Sequence, residues 1–127
     1  MKKIWKTMGT GKSTELVFAR SRISAQKNAK ESAESRFKTC LKNTDFTDCE
    51  LYIYDTEVDN HDESNSSYEV SLYANIYAEF EVGADDELLE LVRDLPFEGF
   101  AGFNIRWEES LRSGSEFIWF DELQEVA

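Results

Sequence analysis

Residues 8–14, with the sequence MGTGKST, have the residue types that bind phosphate in a P-loop. In that motif, consecutive glycine-rich amides wrap the phosphate and a lysine neutralises it. The motif also requires a glycine at the position that Lys6 occupies, and no apolar strand precedes the segment. We therefore interpret these residues as a flexible turn and expect no nucleotide site.

Residues 55–63, DTEVDNHDE, could offer oxygen ligands to a cation. An EF-hand counted from Asp55 would need a glycine where Asn60 stands and a bidentate glutamate where Ser66 stands. Because the pattern fails at these two positions, the sequence favours a solvated loop, with weak calcium or magnesium binding as the open alternative. We predict no bound metal and no cofactor.

Nucleophilic chemistry would have to involve His61, the single histidine, or one of the two cysteines, Cys40 and Cys49. His61 lies in the most polar stretch of the chain, and the cysteine spacing matches no zinc pattern. Since no export signal precedes them, we expect both cysteines to be reduced thiols. The sequence therefore predicts that the protein is not an enzyme.

The remaining candidate is a surface on residues 68–82, YEVSLYANIYAEFEV, which alternate between apolar and polar for fifteen residues. Alternation with a period of two predicts a strand with one buried face and one solvated face. The solvated positions carry carboxylates separated by tyrosines, and Leu51–Tyr54 repeat the pattern with another tyrosine pair. The residues predicted to contact a partner are Tyr52, Tyr54, Asp55, Glu57, Asp59, Asp62, Glu63, Glu69, Tyr73, Tyr77, Glu79 and Glu81.

The elements that position this surface follow from the patterns on either side. We expect a loose basic arm over 1–13, a strand over 14–23, and a helix from an N-cap at Ser24, whose apolar residues recur every four positions. A turn over 43–48 leads to a strand over 50–58, and a polar loop over 59–67 leads to the long strand, in which we expect a bend or bulge near residues 74–75.

The rest of the chain predicts a helix over 86–95, a strand over 99–108, a turn over 111–114 and a short apolar strand or plug over 117–120. The order strand, helix, strand, strand, helix, strand predicts an α+β fold of the split βαβ, ferredoxin-like type. In this fold two helices cover one face of a four-stranded antiparallel sheet. We expect residues 1–127 to form a single domain.

Charge is distributed unevenly along the chain, whose formal net charge is −12. Residues 1–42 contain eleven basic and three acidic residues, whereas residues 43–127 contain three basic and 23 acidic residues. An acidic, tyrosine-bearing sheet imitates the potential of a nucleic-acid backbone and suits a partner with a basic groove. Phosphate binding by the same surface is disfavoured, because nucleic-acid affinity requires a basic surface.

The sequence therefore predicts a cytoplasmic inhibitor that occupies the basic surface of a nuclease, toxin or nucleic-acid-binding complex. A phage anti-defence protein of the nucleic-acid-mimic type and an immunity protein to a nuclease toxin fit equally well. One alternative is that the acidity serves solubility alone and that the protein has an unrelated interaction role. The others are a small enzyme or ligand-binding domain, or an RNA-binding module that stacks bases on the sheet tyrosines.

Overall fold

A computed structural model describes residues 3–42, 46–82, 100–108 and 110–119, which contain six strands and one helix. The elements are β1 (Lys3–Phe18), α1 (Arg22–Leu41), β2 (Asp48–Asp62), β3 (Ser67–Val82), β4 (Asn104–Trp107), β5 (Ser110–Ser113) and β6 (Glu116–Trp119). All pairs are antiparallel, the strand order is β2-β3-β1-β5-β6, and β4 also pairs with β1. No helix in these ranges is long and apolar enough to cross a bilayer.

The predicted fold class is wrong. Within the described residues, a six-stranded antiparallel sheet with one helix replaces the expected four-stranded sheet with two helices. The expected helix over 86–95 lies outside the described residues, as do the turn residues 43–45 and the C-terminal residues 120–127.

The largest single error concerns the start of the chain, where the expected basic arm is the central strand of the sheet. β1 pairs with β3 along its whole length, from Lys3 opposite Val82 to Phe18 opposite Ser67. Its inward side chains are small or absent at Thr7, Gly9 and Gly11, so the apolar alternation that marks most strands is missing. A Cβ at Gly9 would lie 2.9 Å from Ile105 Cγ2, which shows how closely β4 approaches this backbone.

The expected helix after the first strand is confirmed. It begins one turn earlier than predicted, because Ser21 rather than Ser24 is the N-cap: the Ser24 amide donates to Ser21 Oγ at 3.1 Å. The predicted stripe is buried against the sheet at Ala25, Ala29, Ala33 and Phe37. Alanine at three of these positions lets α1 lie close to the strands.

The parity predicted for the long strand is also confirmed, since its buried side chains include Val70, Leu72, Ile76 and Phe80. The expected bend or bulge near 74–75 is absent from the β1–β3 pairing, which is continuous. The β2–β3 pairing does have an irregularity opposite Ala74 and Tyr73, but the extra residue is in β2, between Ile53 and Asp55. A second irregularity in β2 lies between Val58 and Asn60. The predicted polar loop is shorter than expected, because β2 extends to Asp62 and β3 begins at Ser67.

The strand expected over 99–108 is confirmed over four of its residues, Asn104–Trp107, and Phe103, Ile105 and Trp107 are buried. Residues 110–113 form β5, where a turn was expected. Of the two alternatives for residues 117–120, the short strand is confirmed by β6. Phe117 and Trp119 are about half exposed and form an edge-to-face pair, so they are not a plug beneath the sheet.

Candidate functional site

The two faces of the sheet differ in what lies on them. α1 packs on one of them, the covered face, through its buried stripe. An ion pair between Arg36 on α1 and Glu15 on β1 joins the helix to the sheet, and Arg36 also donates to the carbonyl oxygen of Ala101. The opposite face, the open face, carries the predicted contact residues of β2 and β3.

The four sheet tyrosines lie on the open face and are not core residues. Tyr52, Tyr54 and Tyr77 have exposures of 63%, 55% and 46%, and Tyr73 is half-buried. Register places Tyr52 opposite Asn75, Glu50 opposite Tyr77, and Asp55 opposite Tyr73. Since diagonal neighbours on one face of a sheet are ~7–8 Å apart, the tyrosines form one group midway along the hairpin.

Carboxylates flank this tyrosine group on both sides along the hairpin. We call the tyrosines and these carboxylates the acidic strip; its carboxylates are Glu50, Asp55, Glu57, Asp59, Glu69, Glu79 and Glu81. A strand of sixteen residues is ~50 Å long, so the strip is elongated. The predicted rim residues Asp62 and Glu63 lie at the β2–β3 turn, at one end of the strip.

Hydrogen bonds fix part of the strip in place. Ser71, which is buried, donates to Asp59 Oδ2, and Tyr73 Oη lies 3.4 Å from Glu57 Oε2. At the turn, Asp62 Oδ1 accepts from the hydroxyl and the amide of Ser64 at 2.6 and 3.0 Å. These bonds lower the pKa of Asp62, so this carboxylate stays ionised.

Sequence reasoning missed a group of basic residues on the same open face. Lys6 on β1 lies opposite Glu79, with Nζ 3.4 Å from Oε1, and Arg112 on β5 lies opposite Lys6. Lys12 Nζ is 5.5 Å from the centroid of the Tyr73 ring. The open face is therefore acidic over β2 and β3 and basic at Lys6, Lys12 and Arg112. The shared parity of Lys6 and Lys12 becomes a signal for this only once residues 3–18 are known to form a strand.

A shallow cleft of about 390 Å³ lies where these two halves meet. Its lining includes two rings, two cationic side chains and an amide: Tyr54, Tyr73, Lys12, Arg106 and Asn104. Rings combined with cations suit an aromatic ligand that carries negative charge.

The other sequence candidates lie on different elements or at opposite ends of β2. Residues 8–14 are extended within β1, so they form neither the expected turn nor a phosphate loop. The His61 ring stacks on Tyr68 at 3.9 Å between centroids, and no three potential metal-ligating side chains converge within the described ranges. Burial, together with the charges of Asp48 and Glu50, raises the pKa of the Cys49 thiol to about 12, which makes it a poor nucleophile.

No protein-family model, curated protein or solved structure matches the chain. Function is therefore inferred from the geometry of the open face alone.

Proposed function

We propose that the protein is an inhibitor whose acidic strip occupies a basic nucleic-acid-binding or nuclease surface of a partner protein. The observation that carries this proposal is the position of four outward tyrosines between two groups of carboxylates on one rigid hairpin. Tyrosine gives a large contact area for little loss of side-chain freedom, and the carboxylates supply charge complementarity.

The spacing of the charges supports imitation of a polyanion. Glu79 and Glu81 share one face two residues apart, a separation of ~6.8 Å, so their carboxylates repeat at a short, regular interval as the charges of a polyanion do. Lys6 and Lys12 limit the direction of approach, because they repel a basic surface at the centre of the sheet. The partner therefore docks over β2 and β3, at the side of the sheet.

Such an inhibitor serves equally well as a phage protein directed against a nucleic-acid-cleaving defence system or as an immunity protein to a nuclease toxin. Both roles need the same electrostatics, and both place the protein beside its target in the cytoplasm. Neighbouring genes distinguish the two: phage genes favour the first role and an adjacent toxin gene favours the second.

The test compares two variants that change the net charge equally. Glu50→Gln/Glu69→Gln neutralises two exposed acids of the strip, whereas Glu31→Lys places the same change in charge on α1. Immobilised wild-type protein, incubated with host lysate, should capture a partner. Duplex DNA should release this partner by competition, and salt should release it because salt screens the attraction between exposed charges. We expect the double variant to lose this partner and Glu31→Lys to retain it. Equal loss of the partner in both variants would show that only the overall negative charge of the protein matters, and this would refute the proposal.

Glu79 is less suitable for this test than its neighbours, because it is paired with Lys6 and half-buried. Charge reversal there would place two cations side by side and weaken folding together with binding. Within the part of the chain that the structure describes, Glu50 and Glu69 form no ion pair and are exposed, so their neutralisation isolates the effect on binding.

A second candidate function, binding of single-stranded RNA, is favoured by the cleft between Lys12 and Tyr73. The ammonium group above the Tyr73 ring and the nearby Arg106 could hold a phosphate while Tyr54 stacks on a base. Fluorescence anisotropy with a labelled oligouridylate separates the candidates. RNA binding predicts micromolar affinity that is lost in Arg106→Gln, whereas the inhibitor predicts no binding by the wild type.

A further inference from the structure

The outer edge of β2 is divided into two unlike parts. Beyond Ile53, two irregularities interrupt the pairing with β3, and such bulges prevent an edge strand from pairing with another chain. The first part, residues 48–53, pairs with β3 in unbroken register. Among the described elements β2 pairs with β3 only, so one side of this regular part is open to a further strand.

A groove of about 620 Å³ lies beside this regular part and separates it from α1. On the helix side it is lined by one stripe at positions three, four and seven residues apart, in which the apolar Phe37 and Leu41 alternate with the charged Glu34 and Lys38. On the strand side, Cys49 and Leu51 line it from the covered face, and Glu50 and Tyr52 line it from the open face. The groove therefore follows the edge of β2 from one face of the sheet to the other.

We propose that an extended segment of the partner protein adds to the edge of β2 over residues 48–53 and fills this groove. Strand addition takes its affinity from main-chain hydrogen bonds and its specificity from pockets for alternate side chains. Side chains of the added strand that face α1 contact Phe37, Leu41 and Leu51, so we expect these side chains to be apolar. Those on the open face meet Asp48 and Glu50, so they are basic.

The acidic edge argues for such a segment and against a second copy of this chain. Two copies paired edge to edge would bring Asp48 and Glu50 of one close to the same residues of the other, and like charges on facing strands are destabilising. A segment that alternates apolar and basic residues satisfies both sides of the groove. This inference depends on the proposed function in one respect, which is that the partner is basic.

Three synthetic octapeptides provide the test, each alternating valine with lysine. One is unmodified, and the other two are N-methylated at the valine amides or at the lysine amides. In an added strand only one set of amides faces β2, so we expect one methylated peptide to bind more than tenfold more weakly than the unmodified peptide and the other to bind equally well. Equal binding of all three would overturn strand addition and leave capture by charge intact.

A pair of variants locates the peptide on the protein. Leu51→Arg introduces a cation into the groove, and Val58→Arg makes the same change on the same strand, also facing the covered side and half-buried, but in the irregular part. We expect Leu51→Arg to weaken binding of the unmodified peptide more than tenfold and Val58→Arg to leave it within twofold, with thermal unfolding reported for both. Equal effects of the two substitutions would overturn the assignment of the peptide to residues 48–53. A wild-type dimer that Leu51→Arg dissociates would also overturn it, because a second copy of the chain would then occupy this edge.

Discussion

Lys6 on β1 and Glu79 on β3 lie directly opposite each other on the open face, with 3.4 Å between Nζ and Oε1. The pair marks the boundary at which the acidic strip meets the basic side of the sheet. Its side chains are 66% and 30% exposed, so water and salt screen most of the attraction between them. The position of Lys6 therefore matters more for what approaches the strip than for folding.

We expect Lys6→Gln to lower the free energy of unfolding by less than ~1 kcal/mol. The same change should speed association with a fluorescent basic peptide at low salt, because it removes repulsion beside the strip. Stopped-flow rates at two salt concentrations check this. Lys27→Gln on α1, also exposed, is the matched control, and an equal gain in rate there would show that only net charge matters.

Adjacent residues on β3 should respond oppositely to substitution. Leu72 is fully buried, so Leu72→Asp loses packing that is worth ~2–5 kcal/mol and also buries a carboxylate, against a net domain stability of ~5–15 kcal/mol. We expect this variant to lose its cooperative thermal transition. Tyr73→Ala, on the open face, should retain the transition and lose ~1 kcal/mol or less. Similar behaviour of the two variants would contradict the assigned faces.

A side chain at Gly9 should destabilise the protein because β4 lies against this backbone. A Cβ there would meet Ile105 Cγ2 at 2.9 Å, Trp107 Cε3 at 3.0 Å and a backbone carbonyl oxygen at 3.2 Å. We expect Gly9→Val to lower the free energy of unfolding by ~1–3 kcal/mol. Thr10→Val, on the exposed side of β1, should change it by ~0.5 kcal/mol or less. Urea denaturation measures the free energy of unfolding of both variants. Equal effects of the two substitutions would mean that residues 3–13 do not form the central strand of the sheet.

Cys49 gives stability a dependence on alkaline pH. Its pKa is raised from the ordinary thiol value to about 12 by burial and by its acidic neighbours. Between pH 9 and 12 the unfolded chain loses the thiol proton while the folded chain keeps it, so the free energy of unfolding falls as pH rises. Cys49→Ser should reduce this fall. In native protein at pH 9, iodoacetamide should label Cys49 more slowly than it does in urea, and equal rates would show that the thiol is not protected.

The sequence patterns were informative where apolar residues recur at a regular spacing. The parity of β3 and the buried stripe of α1 could both be predicted, because large or close-packed residues repeat at two or four positions. β1 could not be recognised this way, since its inward positions near the centre are threonine, glycine and serine. These small side chains are required because β4 lies close to the backbone of β1. Unless the position of β4 is known, they give no indication of a strand.

The candidate site could be predicted only in part for a related reason. The alternation of a single strand identifies which tyrosines share a face with which carboxylates. Pairing between strands is a tertiary property, so nothing in the local pattern places Lys6 opposite Glu79 or Lys12 beside Tyr73. The bulges that divide the edge of β2, and the groove beside its regular part, also depend on the neighbours that the strand meets.

The central place of β1 has a consequence for biosynthesis. The ribosome makes this strand before its partners β3 and β4, which begin at Ser67 and Asn104. Until those residues leave the exit tunnel, both edges of a sixteen-residue strand are without these native neighbours, and its pairing then closes long loops. The central pairings of the sheet therefore form only after β4 has been made, and until then chaperones and premature contacts compete for the nascent β1.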